Sequence, residues 1–183
     1  MNIMLDGMPT EYEGYLIRTD FRIGMQISEA LSDVNLAEPE KMITAIHLLY
    51  GRSVPAVPGV AEAGLRWFMR GGKEDDDDER SAGSSIQTFD FEQDDRLVYS
   101  AFRARYGIDL TRERLHWFAF IAMLGDLGDC SLSDIMSIRS TDLSKLSGEQ
   151  QRRYAELQQR YRVKPQMSDT EKAMLEEFES KIR

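Results

Sequence analysis

The chain has 183 residues, 42% of them hydrophobic, with 32 acidic against 23 basic side chains and a formal net charge of −9. That hydrophobic share excludes a disordered chain, and the acidic excess argues against nucleic acid or an anionic membrane as main partner, because phosphate binding needs a basic surface. One cysteine, Cys130, excludes an internal disulfide and a cysteine-rich zinc site, while the lack of a basic start leading into an apolar run, and of any stretch of about 18 apolar residues, predicts neither signal peptide nor membrane span.

In chain order, residues 1–18 read as a short β-hairpin. Ile3-Met4-Leu5 and Tyr15-Leu16-Ile17 are its apolar runs, and Asp6-Gly7 and Pro9 punctuate the turn between them. Thr19 or Asp20 then caps a helix running to about Leu31, with Phe21, Met25 and Ile27 or Glu29 along it. Pro39 suits the first turn of a second helix and Gly51 its end, with Met42, Ile43, Ile46 and Leu49 as the apolar positions. A third, from about Val60 to Arg70, carries Leu65, Trp67, Phe68 and Met69.

The sharpest break follows. Residues 73–85 hold a run of adjacent acids and then glycine and serine, which predicts a mobile, solvated acidic loop. Beyond it, Phe91, Asp95, Val98, Phe102 and Tyr106 form one helical stripe, and Gly107 is placed to cap it by entering the left-handed region. Leu115 to Leu124 is apolar nearly all round, which marks a core helix. Ser131-Leu132-Ser133-Asp134, Ser147-Gly148-Glu149-Gln150 and Ser168-Asp169-Thr170-Glu171 resemble capping boxes that open three further helices. The last two have narrow apolar stripes, with Tyr154, Leu157 and Tyr161 on one and Ala173, Met174, Leu175, Phe178 and Ile182 on the other. A narrow stripe suits an antiparallel pair, an arm on the body, or a surface awaiting a partner.

The fold expected is mainly α, a compact helical bundle with a short N-terminal β-hairpin and a mobile acidic loop. Residues 1–144 are expected to form one domain and residues 145–183 a helical pair or arm. The ten methionines are read chiefly as core filling.

Chemistry is sparse. Asp90, Glu92, Asp94 and Asp95 have the ligand type for a hard cation, but at a helix start they are read as structural, with Asp90 or Asp94 pairing with Arg103, Arg112 or Arg114. Glu113-x-x-His116 has the spacing of di-iron bundles without the second motif, so His116 is expected to make a structural hydrogen bond and His47 to lie at the edge of an apolar face. Cys130 has no histidine nearby in sequence and no Gly-x-Ser-x-Gly elbow occurs. No enzyme activity, metal or cofactor is expected. A metal-dependent hydrolase built on Asp90–Asp95 and a DNA-binding regulator are the readings set aside.

The order Asp90-Phe91-Glu92-x-Asp94, then Tyr106-Gly107-Ile108-Asp109-Leu110, then His116-Trp117-Phe118-Ala119-Phe120 resembles the phage gene-product-fifteen family, which is grouped with tail-assembly chaperones. The resemblance runs over most of the chain, with Asp90 to Leu124 its specific part. It implies a non-enzymatic chaperone in the host cytoplasm that binds the tape-measure protein and keeps it soluble during tail morphogenesis. The alternative is a structural tail-completion or connector protein of the virion. Trp67, Phe68, Trp117 and Phe118 are then core or groove candidates, and Tyr154, Leu157 and Tyr161 candidate protein contacts. Tape-measure or another tail protein is the partner expected, with a homo-oligomer a further expectation and no nucleic acid or membrane.

Overall fold

A computed structural model describes residues 3–73 and 88–182. Its elements are helical, α apart from one 3-10 turn, except for one two-stranded hairpin, as composition and periodicity predict. The chain divides into two compact units, Met1–Gly72 with Lys164–Arg183, and Lys73–Val163. The acidic loop expected at 73–85 lies, from residue 74 on, outside the described residues.

In the first unit the hairpin pairs β1 (Glu11–Tyr12) with β2 (Tyr15–Leu16), Tyr12 opposite Tyr15. Here the run expected as first strand, Ile3-Met4-Leu5, is not used, and Leu5 is 82% exposed. The reason is local. Glu13 and Gly14, at φ 50° and 79°, form a two-residue loop with both residues left-handed, the twist that a tight hairpin favours. Beyond β2, the Arg18 N–H donates to the Leu49 carbonyl at 2.8 Å, tying the hairpin to the second helix.

Helix α1 (Phe21–Ser32) starts where Asp20 Oδ1 accepts from the Arg22 N–H at 3.0 Å, the cap expected. It packs on α2 (Glu38–Tyr50), which packs on α3 (Val60–Met69). Gly51 ends α2 at φ 59°, as read from the sequence. The buried face of α2 is Ala45, Ile46, Leu49 and Tyr50. Met42 and Ile43, expected on that face, are exposed although they keep its spacing, because the buried positions of α2 all lie in its second half, from Ala45 to Tyr50. On α3 the buried positions are Ala61, Gly64, Leu65 and Phe68. Helix α8 (Asp169–Ile182) opens on a reciprocal cap: the Ser168 N–H donates to Glu171 Oε2 at 2.8 Å and the Glu171 N–H to Ser168 Oγ at 3.2 Å. The Asp169 N–H also donates to Asn35 Oδ1 at 2.9 Å.

In the second unit α4 spans Asp95–Tyr106 and closes on Gly107 at φ 71°. Residues 91–94, read as its first turn, form a separate turn, so the expected stripe holds at Val98 and Phe102, which are buried, but not at its start. Asp94 faces inward and Asp95, expected on the stripe, is exposed. Helix α5 (Trp117–Gly125) supplies the core with Trp117, Phe118 and Phe120. Phe120 stacks on Phe102 (centroids 5.1 Å, 16°) and on Trp117 (5.8 Å, 21°), so one ring joins the two helices by aromatic contact. The expectation of a core helix holds for these residues, while Ala122 and Gly125 are exposed. Tyr106 Oη donates to the Met123 carbonyl at 2.9 Å, satisfying an end-of-helix acceptor. Helix α6 (Ser131–Ser140), a 3-10 turn (Leu143–Lys145) and α7 (Gly148–Tyr161) follow, with α6 packed on α4 and α7 on α6.

Candidate interaction surface and the charges beneath it

Sequence spacing left open whether four aromatic residues line a groove or a core. Phe68, Trp117 and Phe118 are buried, so a partner reaches them only by displacing what covers them. Trp67 is half-exposed and packs on Tyr12 at 5.1 Å. Tyr154, Leu157 and Tyr161 are half-buried along α7, the helix packed on α6. Trp67 and Phe68 fall in the first compact unit and the other five in the second.

What the apolar spacing did not reveal is a buried ion pair in the second unit. Arg139 Nη1 donates to Asp94 Oδ2 at 2.6 Å and Nη2 to Oδ1 at 2.9 Å, with Asp94 2% and Arg139 7% exposed. Two further donors reach the backbone: Nη1 to the Thr88 carbonyl at 3.0 Å and Nε to the Tyr161 carbonyl at 2.5 Å. Asp94 Oδ2 also accepts from the Asp90 N–H at 3.1 Å. A planar guanidinium suits this work, because its fork meets a carboxylate on two bonds and still has donors to spare. One side chain thus fastens the start of α4, the end of α7 and the segment at Thr88 to α6. The arginine partner expected for Asp94 was Arg103, Arg112 or Arg114. The true partner comes from a later helix, since α6 packs on α4 and brings position 139 inward. One signal was available in the sequence: Arg139 stands seven residues after buried Leu132, where helical spacing asks for an apolar side chain.

Beside it, Gln158 of α7 donates through Nε2 to the carbonyls of Thr141 (2.7 Å) and Ile138 (2.9 Å), covering the open end of α6. Packing and capping therefore act together on the α6–α7 contact.

The other polar candidates are occupied locally. Asp90 Oδ1 accepts from the N–H groups of Glu92 and Gln93 at 3.0 and 2.8 Å. Glu113 lies in a loop, where its Oε1 accepts from the Asp109 N–H, and His116 Nδ1 accepts from the Phe118 N–H at 3.1 Å, capping α5. That is the structural bond expected of His116. His47 is exposed on α2. Partial burial pushes the Cys130 thiol up, but hydrogen bonds with the Ser133 side chain and with the Ser133 and Leu132 backbone outweigh it and hold the thiol below its ordinary value. Cys130 itself opens α6 with Ser133, one residue before the cap read from sequence. Among the described residues no three His, Cys, Asp or Glu side chains gather as a metal site.

The exposed large apolar side chains lie mostly in the first unit. Met42 and Ile43 on α2, Leu16 on the hairpin, and Met174, Leu175 and Phe178 on α8 all face solvent, whereas Tyr99 is the one of this kind among the described residues of the second unit. Exposed large apolar side chains gather at contact sites for other polypeptides when they lie side by side, as Met174, Leu175 and Phe178 do at i, i+1 and i+4 on α8. No helix among the described residues is long and apolar enough to cross a membrane.

A family model described as bacteriophage Gp15 protein matches residues 4–163. No curated protein and no solved structure matches the chain.

Proposed function

The chain belongs to the bacteriophage Gp15 protein family, and on that premise we propose that it is a non-enzymatic tail-assembly chaperone acting in the host cytoplasm. Its client is the tape-measure protein, a long helical chain that must stay soluble until the tail tube polymerises around it. The observation that carries this reading is the set of exposed apolar side chains on α2, α8 and the hairpin of the first unit. An amphipathic client helix laid on such a surface hides its own apolar stripe, which is how aggregation of an unassembled chain is prevented. The engagement of Asp94, Glu113 and His116 in structural bonds supports a binding role over a catalytic one.

Co-expression with the tape-measure protein from the same phage, followed by affinity purification, tests the proposal. The two are expected to be recovered together, with the tape-measure protein precipitating when made alone. Recovery of the tape-measure protein in soluble form without this chain overturns it. Mass spectrometry of purified particles separates the chaperone from a tail-completion or connector protein, because a chaperone is absent or scarce there and a connector is present in fixed copy number.

A further inference from the structure

Helix α7 buries no residue, and in this it differs from its neighbours in the second unit. There α4 buries Val98, Ala101 and Phe102, α5 buries Trp117, Phe118 and Phe120, and α6 buries Leu132. The least exposed positions of α7 include Tyr154, Leu157, Gln158 and Tyr161, half-buried at i, i+3, i+4 and i+7. Polar bonds tie the helix down instead. Gln158 Nε2 donates to the Thr141 and Ile138 carbonyls, and Gln151 Nε2 donates to the Leu143 carbonyl at 3.3 Å. Arg139 Nε donates to the Tyr161 carbonyl.

The seat itself is built without α7. Asp94 and the Thr88 carbonyl hold the Arg139 guanidinium, so its Nε keeps its direction when α7 leaves. The accepting carbonyls of Ile138, Thr141 and Leu143 belong to α6 and to the turn that follows it. These are main-chain acceptors and one fixed donor, which any helix of the same pattern satisfies. An element with few buried apolar contacts opens before the body of the fold does. We infer that α7 is a displaceable strap, and that its seat on α6 and the 3-10 turn accepts an amphipathic helix from another polypeptide. That helix carries large apolar side chains at i, i+3 and i+7, with an amide at i+4 to meet the carbonyls. The inference does not depend on the tape-measure reading, because the chain's own helix serves as the probe.

Hydrogen exchange of the full chain in dilute denaturant tests the strap, and a labelled peptide of residues 147–162 tests the seat. The amides of α7 are expected to exchange through an opening that leaves α4 and α5 protected. Gln158→Ala removes two of the ties and speeds exchange in α7 about tenfold, with α4 and α5 unchanged. The peptide binds the Gln158→Ala chain about tenfold more tightly than the parent, because the seat is then vacated more often. The same peptide carrying Leu157→Glu does not bind. Arg153→Ala, at an exposed position of α7, changes neither result. Amides of α7 that exchange only together with those of α4 and α5, in the parent or in Gln158→Ala, overturn the inference. So does a peptide that fails to bind, or that binds the two chains alike.

Discussion

At Gly64 a methyl group has no room: a Cβ there would stand 1.9 Å from Tyr50 Oη and 2.7 Å from Tyr12 Cδ1. Gly64→Ala must push the two rings away from α3, and a loss of about 1–3 kcal/mol in chemical denaturation is expected. Tyr50 Oη is buried without a hydrogen-bond partner among the described residues. Tyr50→Phe removes that orphan and is expected to be neutral or stabilising. Burial, with Tyr12 and Glu62 nearby, pushes the Tyr50 hydroxyl up to about 12. The unfolded chain releases this proton near the ordinary value of about 10, so between pH 10 and 12 the folded state binds the extra proton. Stability therefore falls as pH rises through that window, and Tyr50→Phe should flatten the decline in a denaturation series. In the second unit, Asp94→Ala strands a buried guanidinium and is expected to cost about 3–5 kcal/mol, more than loss of any exposed ion pair. Replacing Asp94 and Arg139 together by leucine and methionine should cost much less than the two single changes summed, measured as a double-mutant cycle. Neither Gly64 nor Arg139 announces its partner locally, since both depend on which residue a distant helix brings alongside.

Elements were more legible than contacts, and the physical reason differs from helix to helix. Asp20, Gly51 and Gly107 signal helix ends because an acceptor side chain and a left-handed residue act within one turn. The capping box at Ser168 and Glu171 is likewise a four-residue event. The hairpin misled because two glycine turns competed, and Glu13-Gly14 prevailed by setting a two-residue loop directly before Tyr15. The end of α6 offered no such signal, for its carbonyls are met by Gln158 from another helix. Gln158→Ala should leave those acceptors without their donor, at about 1–3 kcal/mol. Faster amide hydrogen exchange in α6 and α7, with α1 and α2 unchanged, is the expected readout.

For the whole chain, deletion from Gln166 onward removes α8 alone, whose described side chains are all exposed. The truncated protein is expected to keep its thermal midpoint to within about 4 °C, the shift that ~1 kcal/mol produces in a small domain. A collapse of the midpoint would mean that α8 has a share in the core after all. What the sequence determined by itself was the mainly helical class, most helix ends and the family, because periodicity, caps and the motifs from Asp90 to Phe120 are written within short windows. Only the tertiary structure decided that Trp117, Phe118 and Phe68 are buried, that Met42 and Ile43 are not, and that Asp94 belongs to Arg139. Those outcomes turn on which faces meet across the chain, and side-chain spacing along one helix does not specify its neighbour.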